Sequence, residues 1–166
     1  MISAELIRRY PFFAGLNHDY TATLAKHAVE HSVEAGHCFF QERDELNKFY
    51  LILEGAVAIV IHVPDRGLKQ PLYGQLTGHL NNKDITVSTV GPGEVFGWSA
   101  LVPPHTSTAN AKAMTSCRVA AFDMEALRPI LEVDCCFAYL MLLNAAQIVR
   151  GRLRERRIES LAENAA

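Results

Sequence analysis

Between Ala28 and Phe122 the chain alternates short β-branched and aromatic runs with glycine turns, and no sustained helical period separates them. Parallel strands need a crossover of a dozen or more residues, usually a helix, so this stretch is expected to form antiparallel sheet. The strongest strand signals are 49–53 and 56–63, and the Glu54-Gly55 pair between them reads as a hairpin turn. Ala35-Gly36 separates two shorter strands, one through Val33 and one over Cys38, Phe39 and Phe40. Residues 85–90, 107–114 and 117–122 supply three more. Many short strands punctuated by glycine predict a sandwich or jelly-roll barrel. Residues 64–67 read as a turn, while 68–84 fit either an irregular hairpin extension or a mobile loop and carry no functional signal.

Both ends of the chain change period. Residues 3–10 read as a short helix with Ser3 as N-cap and Leu6, Ile7 and Tyr10 on its apolar side, ended by Pro11. A second helix is expected from Asn17 or Asp19 to His27. After Phe122, Asp123 caps the stretch MEALRPILEV, with Pro129 at a kink or at the first helical position. Asp134 opens a long helix to about Leu161, interrupted only by Gly151. Phe137, Met141, Asn144 and Ile148 form one stripe on it, and Leu142, Ala146, Val149 and Leu153 form a second. That width suits a helix packed on its own domain and on a partner helix at once, which predicts a homodimer. The fold class is mainly β with helical ends. Helices occupy 1–28, a β-roll 29–123 and two further helices 124–162, in one domain spanning 1–166.

Composition removes several function classes. A net charge of -2 over 166 residues gives no global basic field for nucleic acid or anionic membrane. No apolar stretch near the N-terminus is long enough for a signal peptide or membrane span, so a cytoplasmic location is expected. Cys38, Cys117, Cys135 and Cys136 show no C-x-x-C spacing and read as buried free thiols in a reducing compartment. The seven histidines include no His-x-His, and His27 and His31 straddle a helix-to-strand change, so no metal site is expected. There is no G-x-S-x-G elbow, and Gly97-Trp98-Ser99 lacks its closing glycine. Enzyme activity is not expected. Arg150, Arg152, Arg154, Arg156 and Arg157 are interleaved with Glu155 and Glu159, which reads as a solvated or intersubunit ion-pair face.

The stretch with chemistry is 90–109, VGPGEVFGWSALVPPHTSTA. Glycines before and after Pro92 and again at 97 predict tight turns. The segment after Gly97 is long enough for one helical turn with free amides, and Thr106, Ser107 and Thr108 add hydroxyls. An anion cradle between two strands is one reading; an ordinary glycine-proline loop is the other.

The order of elements resembles the cyclic nucleotide-binding domain, as in the catabolite activator protein family and kinase regulatory subunits. The residues that carry it are Ala35-Gly36, Leu53-Glu54-Gly55, Gly91 to Gly97, the small-residue run 108–111 and the junction Phe122-Asp123. The resemblance spans nearly the whole chain and implies a regulatory domain with a phosphate cassette at Phe96, Gly97, Trp98, Ser99, Ala100, Ser107, Thr108 and Ala109. It also implies a lid helix, on which Arg150 or Arg152 is placed to approach the pocket. Two positions depart from the pattern. Trp98 stands where the family has a ribose-holding glutamate, and Ser107 where it has a phosphate-neutralising arginine. Cyclic AMP or cyclic GMP is therefore expected to bind weakly or not at all, while another small anion could be held by amides, hydroxyls and His105. The expected function is sensing or regulation through repositioning of the last helix, with the ligand unidentified. No cofactor is called for. Direct DNA binding is not expected, since the chain ends near the helix that precedes the family's helix-turn-helix. The rivals are a ligand-free dimeric interaction module and, more remotely, a cupin-type metalloenzyme.

Overall fold

The computed structural model describes residues 2–64 and 82–165. Helix α1 (Ala4–Arg8) opens on Ser3, whose hydroxyl accepts from the Leu6 amide at 3.2 Å, and a 3-10 turn at Pro11–Phe13 follows. Helix α2 (His18–Lys26) opens on Asn17, whose side chain accepts from the Tyr20 amide at 2.8 Å. The strands are β1 (Ala28–Val33), β2 (Cys38–Phe40), β3 (Lys48–Glu54), β4 (Val57–Pro64), β5 (Asn82–Val90), β6 (Val95–Phe96), β7 (Asn110–Ala113) and β8 (Cys117–Asp123). They form two four-stranded sheets, ordered β1-β8-β3-β6 and β2-β7-β4-β5, and every pairing is antiparallel. The chain ends in α3 (Met124–Val133) and α4 (Cys135–Ala165).

Strands β3 and β8 are buried on both faces, which explains why they read as near-continuous apolar runs. Phe49 and Leu51 of β3, with Ala120 and Phe122 of β8, point into a core shared with α1, α2, α3 and α4. Ile52 and Val119, one register step away, point instead between the sheets, onto Val57, Val90, Ala111 and Ala113. The period-two geometry of a strand thus splits one run of sequence between two cores. Phe49 and Phe122 stack across the strand pair, their ring centroids 4.5 Å apart.

Three expectations need correction. Glu54-Gly55 is not a hairpin, because β3 and β4 lie in different sheets. The residue after the turn bonds to the β7–β8 connection: the Ala56 amide donates to Thr115 Oγ1 at 3.0 Å and its carbonyl accepts from the Met114 amide at 2.8 Å. The turn therefore hands the chain from one sheet to the other. The thiols differ too, since Cys117 is buried while Cys38, Cys135 and Cys136 are exposed; none of the four is in a disulfide. The adjacent pair lies on the first turn of α4, whose inward positions are taken by Phe137 and Met141. Of the two places read for Pro129, inside the helix or at its first position, the structure has the interior one, in α3. Strand β5 also starts three residues earlier than expected, at Asn82, while the expected features within 65–81 fall outside the described residues.

The long helix is anchored at its start. Asp134 Oδ1 accepts from the Phe137 amide at 3.0 Å and from the Tyr20 hydroxyl at 3.2 Å, and Tyr20 stacks on Phe137 at 4.4 Å. From there α4 runs unbroken through Gly151. Phe137, Met141 and Asn144 are buried and Ile148 packs against the core. The second stripe faces outward: Leu142, Val149 and Leu153 are between 40% and 51% exposed, and Ala146 between them is exposed too.

Candidate ligand-binding site

Short strand β6 aligns the site by pairing with β3, placing Phe96 opposite Tyr50 and Val95 opposite Leu51. The preceding turn is closed by Glu94, whose Oε2 accepts from the Gly91 amide at 2.7 Å. Gly93 donates to the Ile52 carbonyl at 2.8 Å, which locks this turn onto β3. Gly97 then sits at φ 73°, and a Cβ there would lie 3.3 Å from both the Lys48 carbonyl and the Phe40 ring. Both conformation and space call for glycine. The 3-10 turn Trp98–Leu101 follows, with the Ala100 amide donating back to the Gly97 carbonyl at 3.0 Å.

Beyond this turn lies a cavity of about 400 Å³. Phe96, Gly97, Trp98 and Ser99 line one side, Ser107, Thr108 and Ala109 another, and Arg152 reaches it from α4. The structure therefore brings together eight of the ten residues singled out from sequence. Ala100 is the first exception: it is fully buried, its amide is taken, and it lies outside the lining. Arg150 is the second, since it is exposed and does not line the cavity. His105 also lies elsewhere, in a separate cleft with Arg128, and its buried Nδ1 has no hydrogen-bond partner among the described residues. It does not serve the anion role considered for it.

Sequence reading missed the floor and the far wall. Phe40, Ile59, Ile61 and the stretch 87–89 provide apolar and hydroxyl surface from the second sheet, and Glu155, Arg156 and Glu159 join Arg152 on α4. The helical residues carry a readable signal, because positions three, four and seven beyond 152 fall on one face. Residues of β4 and β5 carry none, because their strand pattern is the same whether the face meets a cavity or a core.

Ser107, Arg156 and Glu159 are already committed to partners within the protein. The Ser107 hydroxyl donates to the Gln41 carbonyl, and its backbone bonds Asp44 and Arg43 at 2.9 and 3.0 Å, so Ser107 is a strut between two loops. Arg156 donates to Glu159 at 2.8 Å. Arg152 is half-buried, and burial pushes its guanidinium pKa down while Glu94 and Glu155 pull it back up. Among the described residues no cluster of histidine, cysteine and carboxylate side chains is arranged to hold a metal, and no helix is long and apolar enough to cross a membrane.

This architecture, two facing antiparallel sheets with a glycine-led cassette under a terminal helix, is that of cyclic nucleotide-binding domains. The family model for the cyclic nucleotide-binding domain matches residues 30–134, more than half of the chain, and the chain belongs to that family. It is 25% identical over 124 residues to a CRP-like cAMP-activated global transcriptional regulator of Mycobacterium tuberculosis, covering 75% of this chain and 48% of that protein. The chain thus spans about half the length of the curated relatives it matches. A crystal structure of a candidate cyclic nucleotide-binding protein from Geobacter metallireducens GS-15 superposes with a TM-score of 0.73 at 27% identity, covering 92% of this chain and 99% of that one. The catabolite activator protein of Thermus thermophilus shares the fold, with a TM-score of 0.63 at 21% identity over 93% of this chain and 63% of that one.

Proposed function

We propose that this protein is a non-catalytic regulatory domain in which a small molecule bound in the cassette cavity repositions α4 against the β-roll. The observation that carries this reading is the composition of the cavity wall. Arg152, Glu155, Arg156 and Glu159 are all on α4, so whatever fills the cavity touches the helix as well as the cassette. A ligand shifts a two-state equilibrium only through different affinities for the two states, and a wall that moves supplies that difference. The regulatory role carried in the name of the Mycobacterium tuberculosis relative supports the same reading.

Cyclic AMP and cyclic GMP are poor candidates for the ligand. Trp98 lacks the carboxylate that would accept from a ribose hydroxyl, and Ser107 lacks a charge for the phosphate. Charge-assisted hydrogen bonds are about twice as strong as neutral ones, so a serine cannot stand in for arginine. The Ser107 hydroxyl is in any case donated to Gln41.

The outward stripe of α4 supports pairing with a second copy of the chain. Exposed Leu142, Val149 and Leu153 recur along one side of the helix. That same stripe favours the second reading, a dimeric interaction module that needs no ligand. Native mass spectrometry of freshly purified protein separates the two. A stoichiometric small molecule that dissociates on denaturation is expected for the sensor; a dimer carrying none, with a cavity that takes up no added ligand, would favour the module.

A further inference from the structure

A second cleft, of about 220 Å³, lies apart from the cassette cavity and shares no lining residue with it. It opens between the segment 101–105, α3 and α4, and Leu101, Pro103, Met124, Leu131 and Met141 make its walls mainly apolar. Two polar side chains, His105 and Arg128, join this lining. His105 Nδ1 and Arg128 Nε are buried, and neither has a hydrogen-bond partner among the described residues. Native interiors leave few such groups unpaired, because each costs free energy until a partner meets it. Both residues are clamped to Leu46. Its amide donates to the His105 carbonyl at 2.7 Å, and its carbonyl accepts from Arg128 Nη2 at 2.8 Å.

Arg128 also lacks a counter-charge. Its other contact is neutral, with Nη1 donating to Asn47 Oδ1 at 3.3 Å, and no carboxylate among the described residues forms an ion pair with it. Glu132 stands four residues along α3, a spacing that permits a pair, yet the guanidinium goes instead to Leu46 and Asn47. Glu132 is exposed and its charge is screened by solvent, whereas Arg128 is half-buried. The unmatched charge inside an apolar cleft is therefore positive. An anionic head on an apolar body complements it, since a carboxylate makes the stronger, charge-assisted hydrogen bonds. The volume falls below the roughly 300–1,000 Å³ of drug-sized sites, so the fitting molecule is small.

We propose that this cleft binds a small apolar monocarboxylate, whose head accepts from Arg128 Nε and the His105 imidazole while its body lies against Met124, Leu131 and Met141. The terminal torsion of histidine is broad and two-fold, so rotation of the ring brings Nδ1 round to the head group. The site is distinct from the cassette cavity, which His105 does not line, and it stands independently of the sensor reading.

The test uses a matched pair, phenylacetate and phenethyl alcohol, which share a ring and differ in the charge of the head. Met124 and Met141 line the cleft, whereas Met114 is 54% exposed and lies outside it, so NMR of methionine methyl groups reports occupancy by residue. Phenylacetate is expected to shift Met124 and Met141 saturably and leave Met114 in place, with an affinity roughly tenfold above that of the alcohol. Arg128→Gln should remove most of that preference in protein shown by circular dichroism to be folded. Ala138→Leu, which puts a larger side chain on a half-buried lining position of α4 and leaves Arg128 intact, should abolish the shifts from both probes. Equal or tighter binding of the alcohol would overturn the ligand class. A preference that survives Arg128→Gln would overturn the role given to the guanidinium. Unmoved Met124 and Met141 signals in the wild type, or undiminished shifts in Ala138→Leu, would overturn the site itself.

Discussion

Gly55 and Gly97 occupy the same left-handed region of backbone space, at φ 91° and 73°, yet they meet opposite surroundings. A Cβ on Gly55 would fall 2.5 Å from the Ser116 carbonyl oxygen and 2.9 Å from Cys117 Cα, with backbone in the way. A Cβ on Gly97 would meet the Lys48 carbonyl and the Phe40 ring at 3.3 Å, and the residues that follow open onto the cavity. The first glycine lets the chain change sheets; the second shapes a site. Glycine spacing thus records the frame of the family at both places, and the chemistry sits in the side chains beside Gly97, where this chain has Trp98 and Ser107.

The contrast breaks most visibly at Gly55. Gly55→Ala combines positive-φ strain with an overlap onto backbone, and is expected to lose about 3 kcal/mol or more in urea denaturation. The fraction that remains folded should keep the Trp98 emission of the wild type, because Gly55 does not line the cavity. Gly97→Ala should cost less, about 2 kcal/mol, since the strain is shared but the nearest contacts can give by a few tenths of an ångström. Its signature is a change in Trp98 emission in the folded protein, since Gly97 and Trp98 line the cavity side by side. Ser107→Ala should cost least, about 1 kcal/mol, from the donor withdrawn from the Gln41 carbonyl. A destabilisation near zero in thermal melts would mean that Ser107 is no strut and is available to a ligand.

Much of the frame was legible in the sequence, for local reasons. The caps at Ser3 and Asp123 follow from one side-chain acceptor meeting a free amide, and both form; of the two starts read for the second helix, Asn17 is found to cap it. The two stripes of α4 separate by helical period, and the inward one is found against the core. Extended by four residues from Asn144 through Ile148, that inward stripe reaches Arg152, which is why Arg152 and not Arg150 meets the cassette. Direction at Glu54-Gly55 was not legible, because a glycine turn looks alike whether the next strand pairs back or crosses to another sheet. Burial of Cys135 and Cys136 was misread from apolar neighbours, which carry no phase at a helix start.

The central claim is that the cassette keeps its family's shape while lacking the two side chains that read a cyclic nucleotide. Calorimetric titration with cyclic AMP, run on the wild type and on the Trp98→Glu, Ser107→Arg double variant, tests it most directly. Weak or absent binding to the wild type is expected, with affinity in the double variant higher by roughly tenfold or more. Sub-micromolar affinity of the wild type for cyclic AMP, or a double variant that folds and gains nothing, would contradict it.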